Sequence, residues 1–159
     1  ILRGVISKIK VNQMSGLQYI EDLQVLPNAS VDREYIEQIL TNLIVNALQA
    51  MQQRGTLRVS TRVLENGLQA ISSEGRSDRS PDLIEIEVAD TGEGMSQEFI
   101  KHKLFKPFQT TKKKGLGIGL FQCREAVQAH GGRIEVQSES GQGTIFRIHL
   151  PVLQSPDDL

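Results

Sequence analysis

The chain carries one cysteine in 159 residues, Cys123. That excludes an internal disulfide and a thiolate zinc cluster, and its position inside a helical pattern gives it a packing role. No apolar run approaches the length of a membrane span, and no charged-then-apolar signal segment opens the sequence. The formal net charge is −1, so no broad basic field is available for bulk nucleic acid or an anionic membrane; the only local basic run is Lys112-Lys113-Lys114. No internal repeat is present. No Gly-x-x-x-x-Gly-Lys-Ser/Thr string occurs, which excludes a Walker A loop. A soluble, cytoplasmic domain is the expectation, and the absence of an initiator Met leads us to expect a piece of a longer protein.

What is present reads as one domain, large enough to bury its own core. Ile36, Ile39, Leu40, Leu43, Ile44, Ala47 and Leu48 follow the i, i+3, i+4 rule, so residues 32–51 are predicted to form an amphipathic helix, with Asp32 as N-cap and Glu34 in the first turn. Residues 57–63 and 83–89 read as strands around a polar loop, 66–81, predicted to be mobile. Residues 96–104 read as a short helix and 118–130 as a longer one ended by Gly131, while 133–138 and 144–150 form a hairpin. The first ten residues have an apolar rhythm compatible with a helix end or a strand, weakened by Gly4. This mixed order implies an α/β two-layer sandwich, a mixed sheet with helices on one face.

Three stretches carry chemistry. Gly115-Leu116-Gly117-Ile118-Gly119-Leu120 opens a helical pattern after Thr110-Thr111-Lys112-Lys113-Lys114. Alternating glycines let backbone N–H groups approach an anion at a helix N-terminus, although they also occur in tight packing turns. A Rossmann turn is excluded, because a polar loop rather than a strand precedes these glycines. Asp90-Thr91-Gly92-Glu93-Gly94-Met95 ends a strand in which Ile84, Ile86 and Val88 alternate with Glu85 and Glu87. A carboxylate there can accept from an exocyclic amine, with Gly92 and Gly94 admitting a flat ring, or it can simply close the strand in an Asp/Gly turn. Asn42 and Asn46 lie one turn apart on the flank of the apolar stripe, where an amide oxygen suits a magnesium ion that keeps water and bridges to phosphates.

In this order, Asn42 to Ala47, Asp90 to Gly94, Phe105-Lys106-Pro107-Phe108-Gln109-Thr110-Thr111-Lys112 and Gly115 to Leu120 resemble the N, G1, F and G2 boxes of the histidine-kinase ATP-binding domain. That family is related to gyrase, Hsp90 and MutL ATPases. His130-Gly131-Gly132-Arg133-Ile134 and Ser140-Gly141-Gln142-Gly143-Thr144-Ile145-Phe146 are similar to its close, so the resemblance covers residues 17–152. It implies the Bergerat fold, with residues 1–16 as a linker remnant from upstream dimerisation helices and 153–159 as a frayed tail.

The resemblance further implies ATP and Mg2+ as ligands, with Asp90 on the adenine amino group, Gly92 and Gly94 allowing ring approach, and Met95 against the base. Asn46 would hold the metal, and Asn42 would face the γ-phosphate. Thr110, Thr111, Lys112 and the Gly115, Leu116, Gly117, Ile118, Gly119, Leu120 run would enclose the triphosphate, with Phe105 and Phe108 anchoring the start of a lid. The short connection from Lys112 to Gly115 resembles kinases with a compact lid, as in the nitrogen-regulatory group. In the gyrase, Hsp90 and MutL branch a glutamate precedes the metal asparagine by one turn and serves as general base. Asn42 stands there instead, and an amide cannot take a proton at neutral pH, so transfer to an acceptor such as imidazole is expected over hydrolysis.

The phosphoacceptor histidine of sensor kinases is followed by an acidic residue. His102, His130 and His149 are followed by Lys103, Gly131 and Leu150, so the acceptor is expected on a separate dimerisation domain of the same protein, a homodimer through it, with a response regulator as onward partner and no nucleic-acid or direct membrane contact. His130 is read as compensating a helix dipole. The competing readings are an anti-sigma-factor-type serine kinase, a nucleotide-dependent binding module without transfer activity, and a hydrolytic ATPase.

Overall fold

The computed structural model describes residues 1–29, 31–65, 82–109 and 116–152. The long amphipathic segment forms α2 (Arg33–Ala50), and its start is fixed as the sequence predicts: the Asp32 carboxylate accepts from the Glu34 N–H at 2.8 Å. Its end is set by left-handed backbone at Gln52 and Gln53, after which the chain turns into β2 (Gly55–Leu64). All seven stripe residues are buried. Each such Ile or Leu contributes roughly 1.5–3 kcal/mol of apolar burial, so the stripe determines where the helix docks.

Five strands form one sheet in the order β1-β2-β3-β5-β4. They are β1 (Leu17–Leu23), β2, β3 (Leu83–Asp90), β4 (Arg133–Glu139) and β5 (Gly143–Pro151). β1 and β2 run parallel, joined by the α2 crossover, and the remaining pairs are antiparallel. Period-two alternation turns Leu57, Val59, Ile84, Ile86, Val88, Phe146, Ile148 and Leu150 toward the helices, where they join the α2 stripe with Cys123 and Val127 of α4 (Gly119–Ala129) in one core. This is the expected mixed sheet with helices on one face. A short α3 (Gln97–His102) is capped by Ser96, whose Oγ accepts from the Phe99 N–H at 3.2 Å.

The opposite face is polar. Arg62, Glu85 and His149 are neighbours across β2, β3 and β5. The His149 ring nitrogen Nε2 lies 2.7 Å from Glu85 Oε2, and Arg62 Nε donates to Glu85 Oε1 at 2.7 Å. Burial alone would raise the Glu85 carboxyl, but the bonds from His149 and Arg62 outweigh it and hold the group below its ordinary range.

Two elements depart from the sequence reading. The first residues, read as a linker remnant with an apolar rhythm compatible with a helix end or a strand, form the helix α1 (Leu2–Ile9) and a following 3-10 turn, and they bury Val5, Ile6 and Val11 in the shared core. β1 was not anticipated at all. The polar stretch 66–81 and the tail 153–159 lie outside the described residues.

Candidate nucleotide site

A cavity of about 290 Å³ opens where α2, the turn after β3, the stretch through Phe105 and the start of α4 converge. It gathers most residues singled out in the sequence: Asn42, Asn46, Asp90, Gly94, Met95, Phe105, Leu116, Gly117, Ile118, Gly119 and Leu120. Gly92 and Phe108 are not on its wall, and Thr110, Thr111, Lys112 and Gly115 lie outside the described residues. The wall also includes residues to which the sequence reading gave no role of their own, notably Phe99, Lys106, Gln109, Thr144 and Phe146.

Asp90 is the last residue of β3, and at 8% exposure it is a buried carboxylate at the cavity floor. Its Oδ1 accepts from the Gly92 N–H at 2.8 Å, an Asx-type turn that fixes the carboxylate plane. The two glycines that follow have packing reasons beyond ring approach. A Cβ on Gly92 would lie 2.7 Å from the Ala50 carbonyl carbon at the end of α2, and one on Gly94 would run into the Glu139 carbonyl. The turn is thus clamped between α2 and the β4–β5 hairpin, with Glu93 N–H donating to Ala50 O and Gly141 N–H to Glu93 O.

Asn42 and Asn46 project from α2 at the other end. The Asn42 amide donates to Cys123 Sγ at 3.6 Å and stands beside Gly119, where a Cβ would come within 3.6 Å of its Cγ. Burial pushes the Cys123 thiol up to about 11, partly offset by that hydrogen bond. Gly117 adopts left-handed backbone with φ 68°, and a side chain there would lie 2.7 Å from the Gln109 nitrogen. The N-cap residue of α4, Ile118, supplies no side-chain acceptor to the N–H groups where the helix meets the cavity.

Phe105 and Phe108 part company. The Phe105 ring meets Phe146 edge-on at 6.5 Å, with the Arg124 guanidinium 5.7 Å from its centroid. Phe108, expected as a second anchor, is 76% exposed. Two of the histidines have structural duties. His130 Nδ1 lies 2.7 Å from Ala126 O while Nε2 accepts from the Asp32 N–H, so the ring, read in the sequence as compensating a helix dipole, ties the end of α4 to the α2 N-cap. His149 is buried against Glu85.

Residues 31–154 match the family described as histidine kinase-, DNA gyrase B-, and HSP90-like ATPase. The chain belongs to this family. Relatives of this ATPase family member include Sporulation kinase D of Bacillus subtilis (strain 168), 37% identical over 139 residues, which are 87% of this chain and 24% of the relative. Sensor protein FixL of Bradyrhizobium diazoefficiens is 39% identical over 120 residues, 76% of this chain and 21% of the relative. The chain therefore spans about a quarter of the curated relatives it matches. Among solved structures, the nucleotide-free catalytic domain of histidine kinase ThkA superposes with a TM-score of 0.73 at 25% identity, over 94% of this chain and 89% of that one. Full-length ShkA in complex with AMPPNP shares the fold with a TM-score of 0.73 at 23% identity, covering 98% of this chain and 30% of its own.

Proposed function

We propose that this domain binds Mg·ATP in the cavity and transfers the γ-phosphoryl group to a histidine on a separate dimerisation domain of the same protein, from which a response-regulator aspartate receives it. The observation that carries the reading is the polarity of the cavity: the buried Asp90 carboxylate at one end, and the Asn42 and Asn46 amides with the α4 N-terminus at the other. An acceptor carboxylate suits an exocyclic amine, and a helix N-terminus with neutral oxygen ligands suits phosphates that bring their own cation. In this reading Asp90 and Met95 hold the base, Asn46 takes the magnesium, and Asn42 faces the γ-phosphate. We assign the phosphate contacts to Leu116 to Leu120 at the start of α4, with Thr110, Thr111, Lys112 and Gly115 as further candidates from the sequence. The donor set fits magnesium: among the described residues no cluster of His, Cys, Asp and Glu forms a cage of its own, so the ion would rest on the phosphates with one or two amide oxygens and water. The cation would neutralise charge on the phosphates, and the chain's own contribution is positioning.

Asn42 supplies no proton acceptor, which favours an acceptor that is already nucleophilic. No histidine of the chain suits that role: His130 has both ring nitrogens engaged, His149 is buried, and His102 precedes Lys103. Transfer breaks the bond between the γ-phosphorus and the oxygen bridging to ADP and forms a P–N bond to imidazole. The test supplies γ-labelled ATP to the chain with and without a His-bearing dimerisation domain from the full-length protein. Acid-labile, base-stable label on the added domain, and none on this chain, is expected. Stable label on Ser or Thr would turn the assignment to a serine kinase, and rapid phosphate release without acceptor would turn it to a hydrolytic ATPase.

A further inference from the structure

Asp90, Thr144 and Ser138 stand in one row across β3, β5 and β4, each opposite the next in strand register. Asp90 and Thr144 line the cavity, whereas Ser138 does not. All three are buried. The Ser138 hydroxyl is saturated: Oγ accepts from the Met95 N–H at 2.9 Å, lies 2.8 Å from the Gly143 carbonyl, and lies 2.9 Å from Thr144 Oγ1. A carbonyl can only accept, so the single Ser138 proton goes to Gly143. The contact with Thr144 then has one solution, in which the Thr144 hydroxyl donates to Ser138. With its proton spent behind the wall, Thr144 can meet an occupant of the cavity only as an acceptor.

We infer that Ser138 is a positioning residue for base selectivity: by fixing the direction of the Thr144 proton, it makes this end of the cavity acceptor-only beside the Asp90 carboxylate, favouring a 6-amino purine over a 6-oxo purine. The inference rests on the nucleotide reading and deepens it. A 6-oxo purine offers this wall one donor, N1–H, together with an acceptor, whereas a 6-amino group offers two donors; a Thr144 free to rotate would donate to the 6-oxo group and relieve the mismatch. Ser138 also anchors Met95 through its N–H, and Gln97 Nε2 donates to the Ser138 carbonyl at 2.8 Å, so the serine is held from both sides.

The experiment measures affinities of ATP and inosine triphosphate for the parent, Ser138→Ala, Thr144→Val and the double variant by calorimetry, with thermal melting alongside. In Ser138→Ala the preference for ATP over inosine triphosphate should fall by about fivefold, the worth of one neutral hydrogen bond. Thr144→Val should lower the same ratio, and adding Ser138→Ala to it should change the ratio no further, because the serine acts through the threonine. A plain cross-strand Ser–Thr pair would lower the melting temperature and leave the ratio alone, and that result overturns the inference. Should Ser138→Ala fail to fold, an unchanged ratio in Thr144→Val overturns it equally. A parent that selects ATP while the variants keep its ratio defeats this inference alone, whereas a parent that binds neither nucleotide defeats the nucleotide reading and this inference with it.

Discussion

At the scale of the residue, the cavity makes sharp demands on a few side chains. Asp90→Asn keeps shape but replaces a charge-assisted acceptor with an amide that can be misoriented, so ATP affinity should fall by about 1.5–3 kcal/mol. Calorimetry on the folded variant checks this, and equal affinity in parent and variant would remove Asp90 from the base site. Asn46→Ala leaves the apolar stripe of α2 intact; the variant should fold yet lose magnesium-dependent enhancement of nucleotide binding. If magnesium helps both proteins equally, Asn46 is not a ligand. Cys123 is buried with its thiol raised to about 11, so the native protein at neutral pH should react slowly with a thiol reagent and the unfolded protein fast. Equal rates would contradict its placement under Asn42.

At the scale of the element, what could be read in advance depended on how loudly a segment's period spoke. In α2 seven apolar residues fall on one stripe, and Asp32 announces the first turn, so helix and cap were both legible. Asp32→Ala should therefore cost about 1 kcal/mol in urea unfolding; no loss would mean the carboxylate's bond to Glu34 N–H contributes nothing. β3 alternates cleanly and was legible to within a residue. β1 was not: Leu17 and Tyr19 face the core but Glu21 follows on the same side, and an edge strand pairing only with β2 needs no continuous apolar face. α1 was hidden by its brevity and by Gly4, and its docking is a tertiary matter that no local period signals. The site divides in the same way. Asp90, Asn46 and Gly117 were visible because their types are tied to backbone or ligand chemistry. Thr144 and Phe146 are ordinary inward-facing strand residues, placed on the wall only by β5 pairing with β3. Gly92 was marked for admitting a flat ring, but the close approach the structure shows there is to α2.

At the scale of the whole molecule, the two faces of the sheet have different sensitivities. Glu85 on the polar face is held below its ordinary value of 4.5 by His149 and Arg62, despite its burial. A carboxylate depressed by folding contributes stability above its unfolded value and loses it as pH falls through the folded one. Urea midpoints taken between about pH 7 and pH 3 should decline on the acid side, and Glu85→Gln should be less stable at neutral pH, by roughly 2 kcal/mol, with a flatter acid limb. An identical limb would show that other carboxylates carry the acid sensitivity.

The cavity wall draws on α2, β3, α4 and β5, positions as far apart in the chain as Asn42 and Phe146. No short stretch of the unfolded polypeptide can reproduce it. Occupancy is therefore thermodynamically linked to folding: a ligand seated there binds the native state alone and shifts the unfolding equilibrium by mass action, about 2.7 kcal/mol at a hundredfold excess over its dissociation constant. The melting temperature becomes a titration coordinate, rising with the logarithm of free ligand. A nucleotide that saturates the protein by calorimetry yet leaves the melting curve in place would have to be bound somewhere that survives unfolding, and so outside this cavity.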